Sequence, residues 1–269
     1  NLRKKGIKLT IDKTIGVARE IKSEEEYKKI EKVQTIAEKG IKLAVDILIK
    51  SKINGNFLYF EGKKLTSEFL KKEIAAFFVE KKCVCESMII SCGKQTAIPH
   101  ERGSGPINKD KPIIIDIFPQ SQESFYFGDL TRTFVKGKAS ERIKNIFRAV
   151  KESQEIAFSK IKEGVLAKDV HQSVVEYFKK EGFPLHEKNG VYQGFIHGTG
   201  HGVGLEVHES PRISDNEYCL KAGNVITVEP GLYYSDIGGV RIEDVVVVTK
   251  DGYKNLTKLP KFLEIEWVQ

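Results

Sequence analysis

Pro112-Ile-Ile-Ile-Asp-Ile-Phe118 sets a single carboxylate, Asp116, inside an otherwise apolar run of strand-forming residues. Side chains at i and i+2 share a strand face, so Asp116 stands with Ile114 and Phe118. A carboxylate on such a face must be paired or bound to a metal, because desolvating it alone costs on the order of several kcal/mol or a large pKa shift. On Asp116 alone, an ion pair with Arg132 in Gly128-Asp-Leu-Thr-Arg-Thr-Phe134 is as good a reading as a metal ligand. Asp129 follows 13 residues later, at the start of the next expected strand. The arrangement then recurs: Glu229 lies in Val225-Ile-Thr-Val-Glu-Pro-Gly231 and Glu243, 14 residues on, in Gly239-Val-Arg-Ile-Glu-Asp-Val245.

The surrounding pattern repeats with the carboxylates. Ser23 and Glu26 form a capping box, and Tyr27, Ile30, Val33, Ile36, Ile41, Val45 and Leu48 follow at helical spacing, so a long amphipathic helix begins after Ser23. Further helices are expected over about 66–82, 140–162 and 168–181, the last closed by Gly182. Strands are expected over 113–118, 129–135, 225–229 and 240–249. Two helices then strands, twice over, make an α+β protein of two duplicated halves rather than a regular βαβ alternation. If a pseudo-twofold relates the halves, each donates a carboxylate pair to one central site. The bland reading makes Glu229 a surface glutamate and Glu243 the partner of Arg241; the apolar run from Val245 to Val248, which marks an interior strand, speaks against it.

Composition narrows the class. The chain has 269 residues, 40% hydrophobic and 30% charged, which suits a globular domain and excludes a disordered or fibrous chain. A net charge of +7 raises the question of nucleic acid, but the pairs Lys28-Lys29, Lys71-Lys72 and Lys179-Lys180 sit among glutamates at helical spacing, without interleaved aromatics. Solvated helix faces, and no nucleic-acid partner, are the expectation. No apolar run approaches a membrane span and residues 1–22 lack a signal-peptide core, so a cytoplasmic location and no membrane partner are expected. Residues 1–22 carry little pattern and read as a linker or the remnant of an upstream domain, ahead of a catalytic domain over 23–269. Cys83, Cys85, Cys92 and Cys219 form no CxxC pair and read as buried thiols, with zinc a distant second.

The histidines decide between the readings of the carboxylates. Phe195-Ile-His-Gly-Thr-Gly-His-Gly-Val-Gly-Leu-Glu-Val-His-Glu209 holds His197, His201 and His208 among four glycines. Such a string suits a backbone that runs close past a ligand. It has neither the Lys-Ser/Thr ending of a P-loop nor the spacing of a dinucleotide turn.

Taken together, these segments resemble the metallopeptidase family that includes methionine aminopeptidase, Xaa-Pro aminopeptidase and prolidase, over about residues 20–269. The resemblance implies the pita-bread (creatinase/aminopeptidase) fold, two pseudo-twofold related halves around a central dinuclear metal site. It implies Asp116, Asp129, His201, Glu229 and Glu243 as ligands, with Asp129 and Glu243 shared by both ions. His100, in Ile98-Pro-His-Glu-Arg-Gly-Ser-Gly105, matches the family histidine that faces substrate, and His208 the one at the scissile carbonyl. His197 and His208 are implied on the substrate's proline side and Arg241 as substrate-binding, and Glu229 doubles as general base for a water shared by the ions.

Within the family, His-Gly-Thr-Gly-His at 197–201, Glu-Pro-Gly-Leu-Tyr at 229–233 and Val-Arg-Ile-Glu-Asp at 240–244 resemble the Xaa-Pro peptidases more than methionine aminopeptidases. The implied reaction is hydrolysis of the amino-terminal peptide bond before proline, on a peptide with a free amino terminus. Two divalent ions are implied, and the mostly hard donor set favours manganese or cobalt while permitting zinc or iron. A homodimer is compatible with the resemblance. Two departures stand out: the interval from Asp116 to Asp129 is slightly long, and the amino-terminal domain usual in Xaa-Pro peptidases is missing from this sequence. The alternatives are a methionine aminopeptidase and a non-catalytic binding module on the same fold.

Overall fold

The computed structural model describes residues 14–265. Five α-helices are present among them: α1 (Thr14–Glu20), α2 (Glu24–Lys50), α3 (Ser67–Glu80), α4 (Glu141–Lys160) and α5 (Ala167–Lys180). The start of α2 is fixed as its sequence requires. Ser23 accepts from the Glu26 amide while the Glu26 carboxylate accepts from the Ser23 amide, satisfying two otherwise orphaned donors. Gly182, at φ 82°, closes α5 in a left-handed conformation that costs glycine little.

Each half is a sheet with two helices on one face. In the first, Glu264–Ile265, Leu130–Lys136, Ile113–Ile117 and Ile89–Cys92 lie side by side in that order. Ile113, Ile115 and Ile117 turn toward α2 and α3, meeting Ile41, Leu48, Leu70, Ile74 and Phe78. In the second, the order is Glu209–Ile213, Gly200–Gly202, Val225–Val228, Asp244–Val248 and Tyr253–Asn255. Ile226, Val228, Val246 and Val248 turn toward α4 and α5, meeting Val150, Val170, Val174 and Phe178. Period-two alternation leaves the opposite faces of both sheets free for polar side chains, and Asp116 takes that face beside Ile114.

The structure departs from the sequence expectations in particular places. The strand expected over 240–249 is two strands, Gly238–Arg241 and Asp244–Val248, interrupted at Ile242 and Glu243. The first pairs with Gly231–Tyr234 and the second with Val225–Val228, so the chain changes sheets at the break. Residues 14–22, expected to be featureless, contain α1 and a bridge from Ile21 to Asn224. Of the four cysteines, Cys83 and Cys92 are buried, Cys85 is half-buried and Cys219 is exposed. Burial pushes the Cys85 and Cys92 thiols up to about 11.

Candidate active site

Four carboxylates and an imidazole converge between the two sheets. Asp116 comes from Ile113–Ile117; Asp129 immediately precedes Leu130–Lys136, its antiparallel neighbour. Glu229 follows Val225–Val228, Glu243 occupies the break between the last two long strands, and His201 sits on Gly200–Gly202. The break is therefore what turns Glu243 into the site. Asp129, His201 and Glu243 each offer a ligand atom within 4.8 Å of the others, and all three are buried. His201 Nε2 lies 3.7 Å from Asp129 and 3.4 Å from Glu229.

Backbone and hydroxyl contacts orient these groups. His201 Nδ1 is 3.1 Å from the Gly202 carbonyl, which can only accept. The proton therefore sits on Nδ1 and leaves the Nε2 lone pair facing the carboxylates, the usual tautomer of a metal-ligating histidine. Thr131 donates to Glu243 at 2.7 Å. The Glu229 amide donates to the Thr199 carbonyl at 2.8 Å. Gln34, buried on α2, donates to the Asp129 carbonyl and accepts from its amide, both at 2.8 Å.

Electrostatics mark the cluster as built for cations. Burial, reinforced by Asp116, pushes the Glu229 carboxyl up to about 7 against the opposing pull of Arg241. Burial and the neighbouring carboxylates hold Asp129 and Glu243 well above the usual range. Burial lowers His201 to about 3 and keeps it neutral, with His208 adding to the effect. A neutral imidazole among largely buried carboxylates that resist ionisation is a donor set that fits divalent metal ions, whose charge would reverse the cost.

Arg241 does not pair with Glu243, and Arg132 does not pair with Asp116. Because its strand leaves the Glu243 sheet, the Arg241 guanidinium crosses to Asp116 at 2.5 Å. It also donates to the Tyr233 hydroxyl at 2.9 Å. Arg132 instead pairs with Asp244 at 2.8 Å and donates to the Glu243 carbonyl at 2.7 Å. His197 Nδ1 faces the Gly198 carbonyl and Nε2 faces the Tyr233 hydroxyl, both at 2.8 Å. Both nitrogens are thus engaged, leaving the ring itself to meet a ligand, and burial lowers His197 to about 3.

A cavity of about 420 Å³ opens above the cluster, within the range of small-ligand sites. Its walls include all five candidate ligands together with His100, His197, His208 and Arg241. His100 and His208 are exposed at its rim; the His208 ring stands 4.3 Å from that of His201. Sequence reasoning assigned no role to Tyr233, Thr131 or Gln34. Only Tyr233 had a signal, its place in the Glu-Pro-Gly-Leu-Tyr run.

Residues 28–250 match the profile of metallopeptidase family M24. The chain belongs to that family. This M24 chain is 37% identical over 255 residues to the Xaa-Pro dipeptidase of Pyrococcus horikoshii, covering 94% of this chain and 67% of the relative. Among solved structures it resembles the prolidase from Pyrococcus furiosus, with a TM-score of 0.79 and 35% identity over 93% of this chain and 69% of that one. The X-Pro aminopeptidase from Thermotoga maritima matches with a TM-score of 0.79 and 29% identity, over 94% of this chain and 67% of that one. The chain thus spans about two thirds of the length of these relatives, and its fold is the α+β pita-bread arrangement expected from the sequence. Divalent metal ions are the cofactors such a metallopeptidase uses.

Proposed function

We propose that this chain is a dinuclear metal-dependent Xaa-Pro peptidase that hydrolyses the amino-terminal peptide bond preceding proline. The observation that carries the proposal is the His201 lone pair directed at buried Asp129 and half-buried Glu229 in the floor of a peptide-sized cavity. The relatives named Xaa-Pro dipeptidase and X-Pro aminopeptidase support the substrate class.

Asp116, Asp129, His201, Glu229 and Glu243 would hold the two ions, manganese or cobalt by the hardness of the donors. Bound there, the ions supply Lewis acidity toward a water and the scissile carbonyl. Glu229, in the carboxylate cluster beside His201, takes the proton from the attacking water and passes it to the leaving proline nitrogen. His208, held below the ordinary histidine range by partial desolvation with Arg212 and His100 adding to it, donates to the carbonyl oxygen as negative charge develops on it. His100 lines the cavity beside it as the second substrate-facing imidazole.

Proline after the scissile bond has no amide hydrogen and a fixed φ, so it must be recognised by shape. His197 offers a ring face for that purpose, with Nδ1 held by the Gly198 carbonyl and Nε2 by the Tyr233 hydroxyl, while Arg241 holds Tyr233 and Asp116 in place.

A panel of Xaa-Pro dipeptides, Xaa-Pro-Xaa tripeptides and Met-initiated peptides, assayed with manganese, cobalt and zinc, tests this. Cleavage confined to Xaa-Pro bonds and abolished by a chelator is expected. Preference for Met-initiated peptides by the loaded protein would overturn the specificity, and failure to take up metal would favour a binding module.

A further inference from the structure

The segment that precedes α2 is fastened to the second half of the molecule. The Lys22 amide donates to the Gly223 carbonyl at 2.8 Å, Asn224 donates to the Glu20 carbonyl at 2.9 Å, and the Tyr218 hydroxyl donates to the Glu20 carboxylate at 3.0 Å. Two cations from this segment then converge on one acid. Arg19 reaches Glu209 at 2.5 Å and Lys22 forms a second, short ion pair with it. The Lys22 side chain is 2% exposed and that of Glu209 8%, so the pair is desolvated and water cannot substitute for either partner. Arg19 also contacts Glu206 at 3.3 Å.

Glu206 and Glu209 bracket His208. The loop between them is pinned at its start, where the Gly204 amide donates to the Glu206 carbonyl at 3.1 Å and the Phe127 amide donates to the Gly204 carbonyl at 2.8 Å. Among the described residues no hydrogen bond holds the His208 imidazole itself, whose ring contact is with His201. Its position is therefore inherited from the backbone on which it is carried, and Glu209 is the next residue along that backbone.

We propose that Lys22 and Arg19 are positioning residues: by clamping Glu209 they fix His208 over the reaction centre, so that the segment before α2 serves the site. This rests on the role given to His208 above. A donor displaced by about 1 Å loses about 10- to 100-fold in rate, and because it acts on the developing oxyanion the loss falls on kcat rather than KM.

The test is a double-mutant cycle in the full, manganese-loaded chain, using Lys22→Met and His208→Ala. Lys22→Met is expected to lower kcat about 10- to 100-fold with unchanged manganese affinity by titration calorimetry, to cost nothing further in the His208→Ala background, and to be rescued largely by Lys22→Arg. Arg19→Met, which removes the more exposed cation, gives a milder version of the same pattern if Lys22→Met does not fold. Equal losses in both backgrounds, or a lower melting temperature with unchanged kcat, would overturn the proposal. A substrate-free measurement separates its failure from failure of the peptidase reading: the NOE between the His201 and His208 rings should weaken in Lys22→Met even if no Xaa-Pro substrate is turned over, and an unchanged NOE would refute the clamp.

Discussion

Carboxylates crowded together away from water hold their protons to unusually high pH, and in this site that property has a consequence for stability. The Glu229 carboxyl is pushed up to about 7 by burial, and Asp129 and Glu243 lie well above the carboxylate range. A group whose folded pKa exceeds its unfolded value contributes stability below the unfolded value and loses it as pH rises through the folded one. Relative to Glu229→Gln, which keeps the histidines but removes this titration, the metal-free protein should therefore lose melting temperature as pH rises from about 5 to about 7, between the ordinary carboxylate value and that of Glu229. Added manganese should reduce or reverse the fall, because cations bind the deprotonated ligands. Scanning calorimetry of both proteins, with and without chelator, checks this; a metal-free difference between them that stays constant over that interval would contradict the raised Glu229 carboxyl.

One short element, Gly200–Gly202, decides whether the imidazole arrives. Its glycines allow it to lie closer to its neighbours than any side chain permits: a Cβ on Gly200 would stand 1.9 Å from the Thr227 carbonyl oxygen, and one on Gly202 2.2 Å from that of Ser210. The first contact keeps the His201 amide on the Thr227 hydroxyl at 3.0 Å. Gly200→Ala must push this strand off Val225–Val228 and carry His201 with it. The expected result is a melting temperature lowered by several degrees and manganese affinity weakened by about 10- to 100-fold, the usual cost of misplacing a ligand's support. Calorimetric titration that returns the unaltered affinity would show that the close approach does not serve the ligand. The glycine-rich string was legible as a place where backbone passes close to something. That the something is a neighbouring strand was not, since three residues with two glycines carry no strand periodicity.

Across the whole molecule, the two halves are joined by buried polar contacts. Arg132, on a central strand of the first sheet and 1% exposed, donates to the Leu259 and Glu243 carbonyls and pairs with Asp244 in the second half. Removing the guanidinium strands a buried carboxylate, although Lys261 remains 3.0 Å from Asp244. Arg132→Met is therefore expected to cost about 3 kcal/mol, toward the low end for breaking a buried ion pair. It should also lower metal affinity, because the Glu243 backbone loses an anchor. Chemical denaturation and metal titration on the same preparation check both effects; a change in stability below about 0.5 kcal/mol, the range of ordinary surface substitutions, would exclude the cross-half role.

The sequence alone determined the duplicated α+β plan, the helix that starts at Ser23, and the residue types at Asp116, Asp129, His201, Glu229 and Glu243, because periodicity, capping and a charge on an apolar strand are local signals. It left the partners of the two buried arginines open, and on the bland reading assigned Arg132 to Asp116 and Arg241 to Glu243. Only the tertiary structure decided those. A strand that changes sheets at Ile242 and Glu243 swings Arg241 toward Asp116 and frees Asp244 for Arg132, and no local pattern records which sheet a strand will join. The same holds for Lys22 and Glu209, which lie 187 residues apart and meet only because the chain folds the segment before α2 back across the second half.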